Sequence, residues 1–157
     1  MRSEAAAEEL REIERSPDAF LAGLDDPEAK AGPVRLPDGT LVERLPGLHR
    51  WLWDDEFSGS IGFRWSPGTP ALPPTCLGHI GYSVVPWKRG NGYAKAALAQ
   101  ILPEARERNL PYVELIANVD NIASQRVIVA NGGILVERFT KEPALGGGDA
   151  FRFRISL

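Results

Sequence analysis

Residues 84–94 run Val84-Val85-Pro86-Trp87-Lys88-Arg89-Gly90-Asn91-Gly92-Tyr93-Ala94. An apolar strand ends, a glycine-rich turn follows, and an alanine-rich helix begins. Such a turn leaves successive backbone N–H groups at a helix N-terminus without partners. Together with the positive end of the helix dipole they form an anion site. Gly90 and Gly92 lack the Cβ that would hold a phosphate away, and Arg89 adds a cation. The segment therefore predicts a phosphate or pyrophosphate ligand. The dinucleotide fingerprint G-x-G-x-x-G fails at its third glycine, where Lys95 stands, and no G-x-x-x-x-G-K-[ST] occurs. A nucleotide-binding domain using the same turn is thus the weaker reading. The spacing fits R-x-x-G-x-A through Arg89, Gly92 and Ala94.

Outward from this turn, Ala94, Ala97, Leu98, Ile101, Leu102 and Ala105 follow the i, i+3, i+4, i+7 rule and predict a helix over 93–108. Pro103 is expected to kink it. Upstream, LGHIGYSVV (77–85) reads as a strand. HRWLWDD and IGFRW around FSGS read as a hairpin with Gly59 in its turn. The proline-rich stretch 66–76 is a loop. Downstream, PYVELIANV (111–119) is a strand. Asn121 caps a helix over 122–131 that ends at Gly132-Gly133. ILVERF and AFRFRI are the last strands. The first 24 residues look helical, broken near Pro17, and 25–47 read as loop with a short strand near Thr40–Leu45. The fold class is a mixed α/β sheet flanked by helices.

The chain has 157 residues, 43% hydrophobic and 25% charged, which fits one domain with a real core and argues against disorder. Apolar stretches fall short of the roughly 18 residues a bilayer span needs, and the acidic amphipathic start does not resemble a signal peptide. The chain reads as cytoplasmic, without a membrane partner. One Cys and two His are a poor supply for a disulfide framework or a metal centre. A net charge of -3 argues against nucleic acid as the main partner.

The turn at 89–94 resembles the acyl-CoA pyrophosphate loop of GNAT-type N-acetyltransferases. A second element agrees: Asn121-Ile122-Ala123-Ser124 and the terminal Asn131-Gly132-Gly133 look like the N-x-A-[AS] helix of the same superfamily. The resemblance covers roughly residues 49–140. GHIGYSVVP, RGNGYA and NIASQRVIVANGG are similar to a subgroup of predicted bacterial acetyltransferases. The resemblance implies a mostly antiparallel central sheet with one splayed parallel pair, in a single domain over 1–157. Residues 1–47 would form the substrate side and 48–157 the acetyl-CoA core.

It implies acetyl-CoA as co-substrate, held by Arg89, Gly90, Asn91, Gly92, Tyr93 and Ala94. Ser83, Val84 and Val85 would offer main-chain groups to the pantetheine arm, and Asn121 and Ser124 would face it from the next helix. A neutral amine, on a small molecule or a protein, would attack the thioester directly in a ternary complex, leaving Cys76 no covalent role. A non-catalytic acyl-CoA-binding sensor of the same fold is the alternative.

Two positions depart from the family pattern. Ile128 stands where many members carry the acid Tyr, and Ile116 where some carry a basic Glu. Glu114, two residues earlier on the same strand face, is a candidate base. His79, Tyr82 and Ser124 are further catalytic candidates, with His79 and Tyr82 on opposite faces of a regular strand. A structural role for His79, packing roles for Trp51, Trp53 and Trp65, and a solvated turn for Asp54-Asp55-Glu56 are the plainer readings. Members open with a strand before the first helix, and none is seen here. The late strands offer an edge for a homodimer.

Overall fold

The helix that follows the glycine turn, α3 (Tyr93–Glu107), buries Ala97, Leu98, Ile101, Leu102 and Ala105 along one stripe, as its apolar spacing requires. Pro103 lies inside it. The computed structural model describes residues 4–157. The expected N-terminal helix is two helices, α1 (Glu4–Arg15) and α2 (Pro17–Ala22); its first three residues lie outside the described residues. Ser16 caps α2, its hydroxyl accepting from the Ala19 N–H at 3.4 Å, and Pro17 takes the first helical position, where no N–H is needed.

Three two-residue strands follow: β1 (Asp25–Asp26), β2 (Val34–Arg35) and β3 (Leu41–Val42), the last two paired with each other. β4 (Gly47–Trp53), β5 (Phe57–Arg64) and β6 (Ile80–Val84) then form an antiparallel sheet in the order β1-β4-β5-β6. The edge beside β4 is therefore held by short β1. A second sheet has the order β7-β9-β8, from β7 (Tyr112–Asn118), β8 (Ile134–Thr140) and β9 (Asp149–Ser156), all antiparallel. Helix α4 (Ile122–Ala130) joins β7 to β8. β8 is an edge strand with Ile134, Leu135 and Val136 exposed.

The hairpin lies where the sequence places it, but its turn does not. FSGS belongs to β5, and the chain reverses at Asp54–Glu56, with Asp55 at φ 88°. Gly59 pairs with Leu52 on one side and Val84 on the other. A Cβ there would stand 2.1 Å from the Ser83 carbonyl oxygen. This glycine serves close approach of strands rather than a turn.

Alternation along β4, β5 and β6 separates two faces. Leu48, Leu52, Ile61, Phe63 and Ile80 are buried in the core with α3, Val113, Leu115 and Ile128. His49, Gly62, Gly81, Ser60 and Ser83 share the opposite face, as their register dictates. Phe20 of α2 packs on Trp51 of that face, ring centroids 5.6 Å apart.

Candidate active site

The two sheets meet between β6 and β7, and there they part. The His79 backbone N–H donates to the Glu114 carbonyl at 2.7 Å, and the Glu114 N–H donates to His79 Nδ1 at 2.9 Å. Beyond this seam β6 and β7 share no ladder. The start of β6 adjoins the start of β7, and Tyr82 further along reaches Ser124 beyond the end of β7, so both strands run the same way. The gap is a cleft of about 200 Å³ lined by Ile80, Gly81, Tyr82, Leu115–Asn118, Asn121, Ser124 and Ile128.

Which backbone groups face the cleft follows from the ladder. The Val85 N–H donates to Ser58 and the Arg64 N–H to His79, both on the β5 side. In an antiparallel pair the bonded positions alternate, so Gly81, Ser83 and Val85 turn toward β5. Tyr82 and Val84 turn toward the cleft. In the ladder the main-chain groups of Ser83 and the Val85 N–H face β5, and the Val85 carbonyl accepts from the Lys88 N–H at 3.0 Å, so of the three expected residues Val84 faces the cleft, with Tyr82 beside it. The Val84 carbonyl also accepts from Arg89 Nε at 3.1 Å, which folds that side chain back over the strand end.

In the turn that follows β6, Gly90 and Gly92 adopt φ 78° and 79°, and neither would meet an atom within 4 Å if given a Cβ. Among the described residues the N–H groups of Gly90, Asn91, Gly92, Tyr93, Ala94 and Lys95 find no acceptor, the first return bond being Ala96 to Gly92. Six donors are thus left without partners around a helix N-terminus, an arrangement that suits a diphosphate. Asn91 braces the turn by donating to the Lys88 carbonyl at 3.0 Å.

The acidic turn is more than a solvated corner. Asp54 accepts from Lys88 Nζ at 2.9 Å, from Ser58 Oγ at 2.9 Å and from the Tyr93 hydroxyl. These bonds, that from Tyr93 foremost, hold its carboxyl well below the usual carboxylate range. Asp54 thereby pins both ends of the glycine turn.

Asn121 caps α4, accepting from the Ser124 N–H at 3.1 Å, and with Ser124 lines the cleft. The Tyr82 hydroxyl meets Ser124 Oγ at 2.9 Å and the Ser124 carbonyl at 3.2 Å. Burial pushes the Tyr82 phenol up.

The other two catalytic candidates are placed elsewhere. Glu114 is 6% exposed, and its carboxylate lies between Arg154 Nε at 3.2 Å and Arg152 at 3.5 Å. His79 is fully buried. Burial drives its pKa down, and its Nδ1 is an acceptor, which places the ring proton on Nε2. That Nε2 makes no hydrogen bond of good geometry, although the Pro70 carbonyl lies near enough to favour the protonated ring. Neither side chain lines the cleft or the large cavity described next. Both hold the seam.

A larger cavity of about 770 Å³ opens on the other face of the first sheet, beneath the N-terminal segments. His49, Gly62, Arg64, Gly81, Tyr82 and Ser83 form part of its wall. Gly81 and Tyr82 line both spaces, so only this stretch of β6 lies between cleft and cavity there. His49 is a functional candidate that sequence reasoning missed. Its signal was the pair of glycines at 62 and 81, legible only once the strand register is known.

The description "Acetyltransferase (GNAT) domain" matches residues 10–134, most of the chain. The chain belongs to the GNAT acetyltransferase family. This GNAT chain also shares its fold with solved structures. The microcin C7 self-immunity acetyltransferase MccE, crystallised with acetyl-CoA and AMP, aligns at TM-score 0.59 and 16% identity over 71% of this chain and 61% of that one. Ribosomal-protein-alanine N-acetyltransferase from Brucella melitensis aligns at 0.54 and 19%, over 72% and 69%. A point mutant of the spermidine N-acetyltransferase SpeG from Vibrio cholerae aligns at 0.54 and 14%, over 70% and 65%. The GNAT chain thus spans about three-fifths of MccE's length and a little more of the others'. No curated protein sequence matches it. Among the described residues there is no His, Cys, Asp and Glu group able to hold a metal ion, and no helix long and apolar enough to cross a membrane.

Proposed function

We propose that this chain transfers the acetyl group of acetyl-CoA to an amine. The observation that carries the reading is the parted pair β6 and β7, with six unpartnered amides in the turn and helix start that follow β6. The glycine turn suits a diphosphate, and the cleft suits an extended arm. The cleft-facing main-chain groups of Tyr82 and Val84 suit pairing with that arm and polarisation of the thioester carbonyl. Asn121 and Ser124 flank it from α4. The reaction supplied by the bound co-substrate is direct aminolysis of a thioester, for which the protein provides proximity and proton transfer.

The Tyr82 hydroxyl is the group placed to protonate the departing sulfur. It enters the cleft from β6, and its raised pKa keeps it protonated at neutral pH. It offers the acid that Ile128 does not, Ile128 being wholly buried. This favours catalysis over a sensor. The acceptor would enter through the large cavity and meet the thioester at Gly81.

The test is calorimetry with acetyl-CoA, followed by CoA release with a panel of amines: spermidine, an alanine-ended peptide and free amino acids. Release above the hydrolysis background with any of them supports the reading. Binding without release would assign a sensor, and no binding would overturn the cleft assignment.

A further inference from the structure

One row of residues runs straight across the cavity floor. His49 is paired with Gly62, and Gly62 with Gly81. The His49 imidazole lies over the bare Gly62: a Cβ there would stand 2.7 Å from His49 Nε2. Gly81, the next in the row, has nothing within 4 Å of where its Cβ would be. Two adjacent glycines in paired strands weaken a sheet. Here they leave a bed for the ring and bare backbone beside the cleft, because Gly81 borders both spaces.

We propose that His49 is the general base for acetyl transfer, taking the proton of the attacking amine on the cavity side of Gly81. The proposal rests on the acetyltransferase reading above. The amine lone pair forms the C–N bond to the thioester carbonyl carbon, and the C–S bond breaks with its electron pair going to sulfur. An alkylamine arrives as an ammonium: one N–H proton first passes to the unprotonated ring nitrogen of His49, which frees that lone pair, the sulfur takes the Tyr82 hydroxyl proton, and the second N–H proton passes to the Tyr82 oxygen. The products are an amide and a free thiol. His49 then returns its proton through the cavity water.

The surroundings of His49 suit that role. It is exposed and lines the cavity, and among the described residues its ring makes no hydrogen bond, so neither ring nitrogen is committed to a protein partner. The charged groups facing it are Arg64 of β5, Arg44 of the segment before β4, and Glu9 of α1. Enclosure by the surrounding protein, Arg64 and Arg44 push its pKa down, and Glu9 opposes them. The imidazole is therefore unprotonated at neutral pH.

The experiment uses the full chain, with acetyl-CoA saturating and two probe amines: the best alkylamine of the panel, and hydroxylamine, which is already neutral at pH 7. For His49→Gln, CoA release with the alkylamine is expected to fall by roughly 10²–10⁴-fold. Release with hydroxylamine is expected to fall far less, with acetyl-CoA affinity kept in calorimetry. The wild-type rate should rise with pH through an inflection below about 6.5, and the variant should lose that inflection. Independently of turnover, the His49 ring resonance should titrate below about 6.5 by NMR. Undiminished alkylamine rates with an unchanged pH profile in His49→Gln, or titration of His49 above neutrality, would overturn the proposal. If the wild-type chain releases CoA with neither probe, the acetyltransferase reading fails first and the base falls with it.

Discussion

Tyr82 of β6 and Ser124 of α4 meet hydroxyl to hydroxyl at 2.9 Å across the cleft between the two sheets. The pair joins the strand that leads into the glycine turn to the helix that closes the far wall. It places one acidic proton at the junction of cleft and cavity. Tyr82→Phe should lower kcat for CoA release by about 10²-fold or more, while calorimetry shows acetyl-CoA still bound. Because the phenol is held above its ordinary 10.0, the wild-type rate should not fall on the alkaline side until above that value. Equal rates in Tyr82→Phe would remove the acid role.

Gly92 at φ 79° has open space where its Cβ would be and sits among six amides without partners. Gly92→Glu should abolish acetyl-CoA binding by placing a carboxylate against the diphosphate. Gly92→Ala carries only the left-handed backbone cost, about 1–2 kcal/mol, and should keep measurable affinity. Calorimetry on both separates charge from strain, and comparable affinity in the two variants would count against the assignment of this turn.

Asp54 holds Lys88 and Tyr93, one on either side of the turn. Asp54→Asn should loosen the turn and weaken acetyl-CoA binding. Since the folded-state pKa of Asp54 lies below 3.8, its contribution to stability is complete above the unfolded value and is lost as pH falls through the folded one. The Tm difference between wild type and Asp54→Asn should thus be level from about pH 5 to 8 and shrink below about pH 4. A difference that grows in acid would contradict the clamp.

Gly59 pairs with both neighbouring strands, and a methyl there would run into the β6 main chain at Ser83 and Val84. Gly59→Ala should cost about 1–3 kcal/mol by overpacking, read as a lower midpoint in urea. It should also weaken acetyl-CoA binding, because pushing on Ser83 and Val84 shifts the cleft wall. An unchanged midpoint would refute the close contact.

The glycine turn, the helix after it and the capped α4 were legible in the sequence, because each is a local pattern: donors left over, apolar residues at helical spacing, Asn121 ahead of its helix. The hairpin turn was misplaced because Gly59 and Asp55 both tolerate unusual backbone, and only strand pairing shows which is used. Glu114 and His79 stood out as titratable groups near the motif. Their pairing with Arg154, Arg152 and each other's backbone depends on β7 meeting β9 and β6, contacts between residues 35–40 positions apart. His49 was invisible for the same reason: a lone histidine acquires meaning only beside Gly62 and Gly81, which lie 13 and 32 positions on in the numbering.

The bond pair between His79 and Glu114 ends the gap like the stop of a zipper, and Gly78 beside it is packed within 3.0 Å of the Glu114 carbonyl for any added Cβ. An arm anchored at Gly90–Ala94 can advance only so far before it reaches that dead end. On the proposed function the seam would act as a built-in ruler for the donor. A short acyl group would fit ahead of the stop, whereas a long one would have to bend out past Gly81 into the room the acceptor needs.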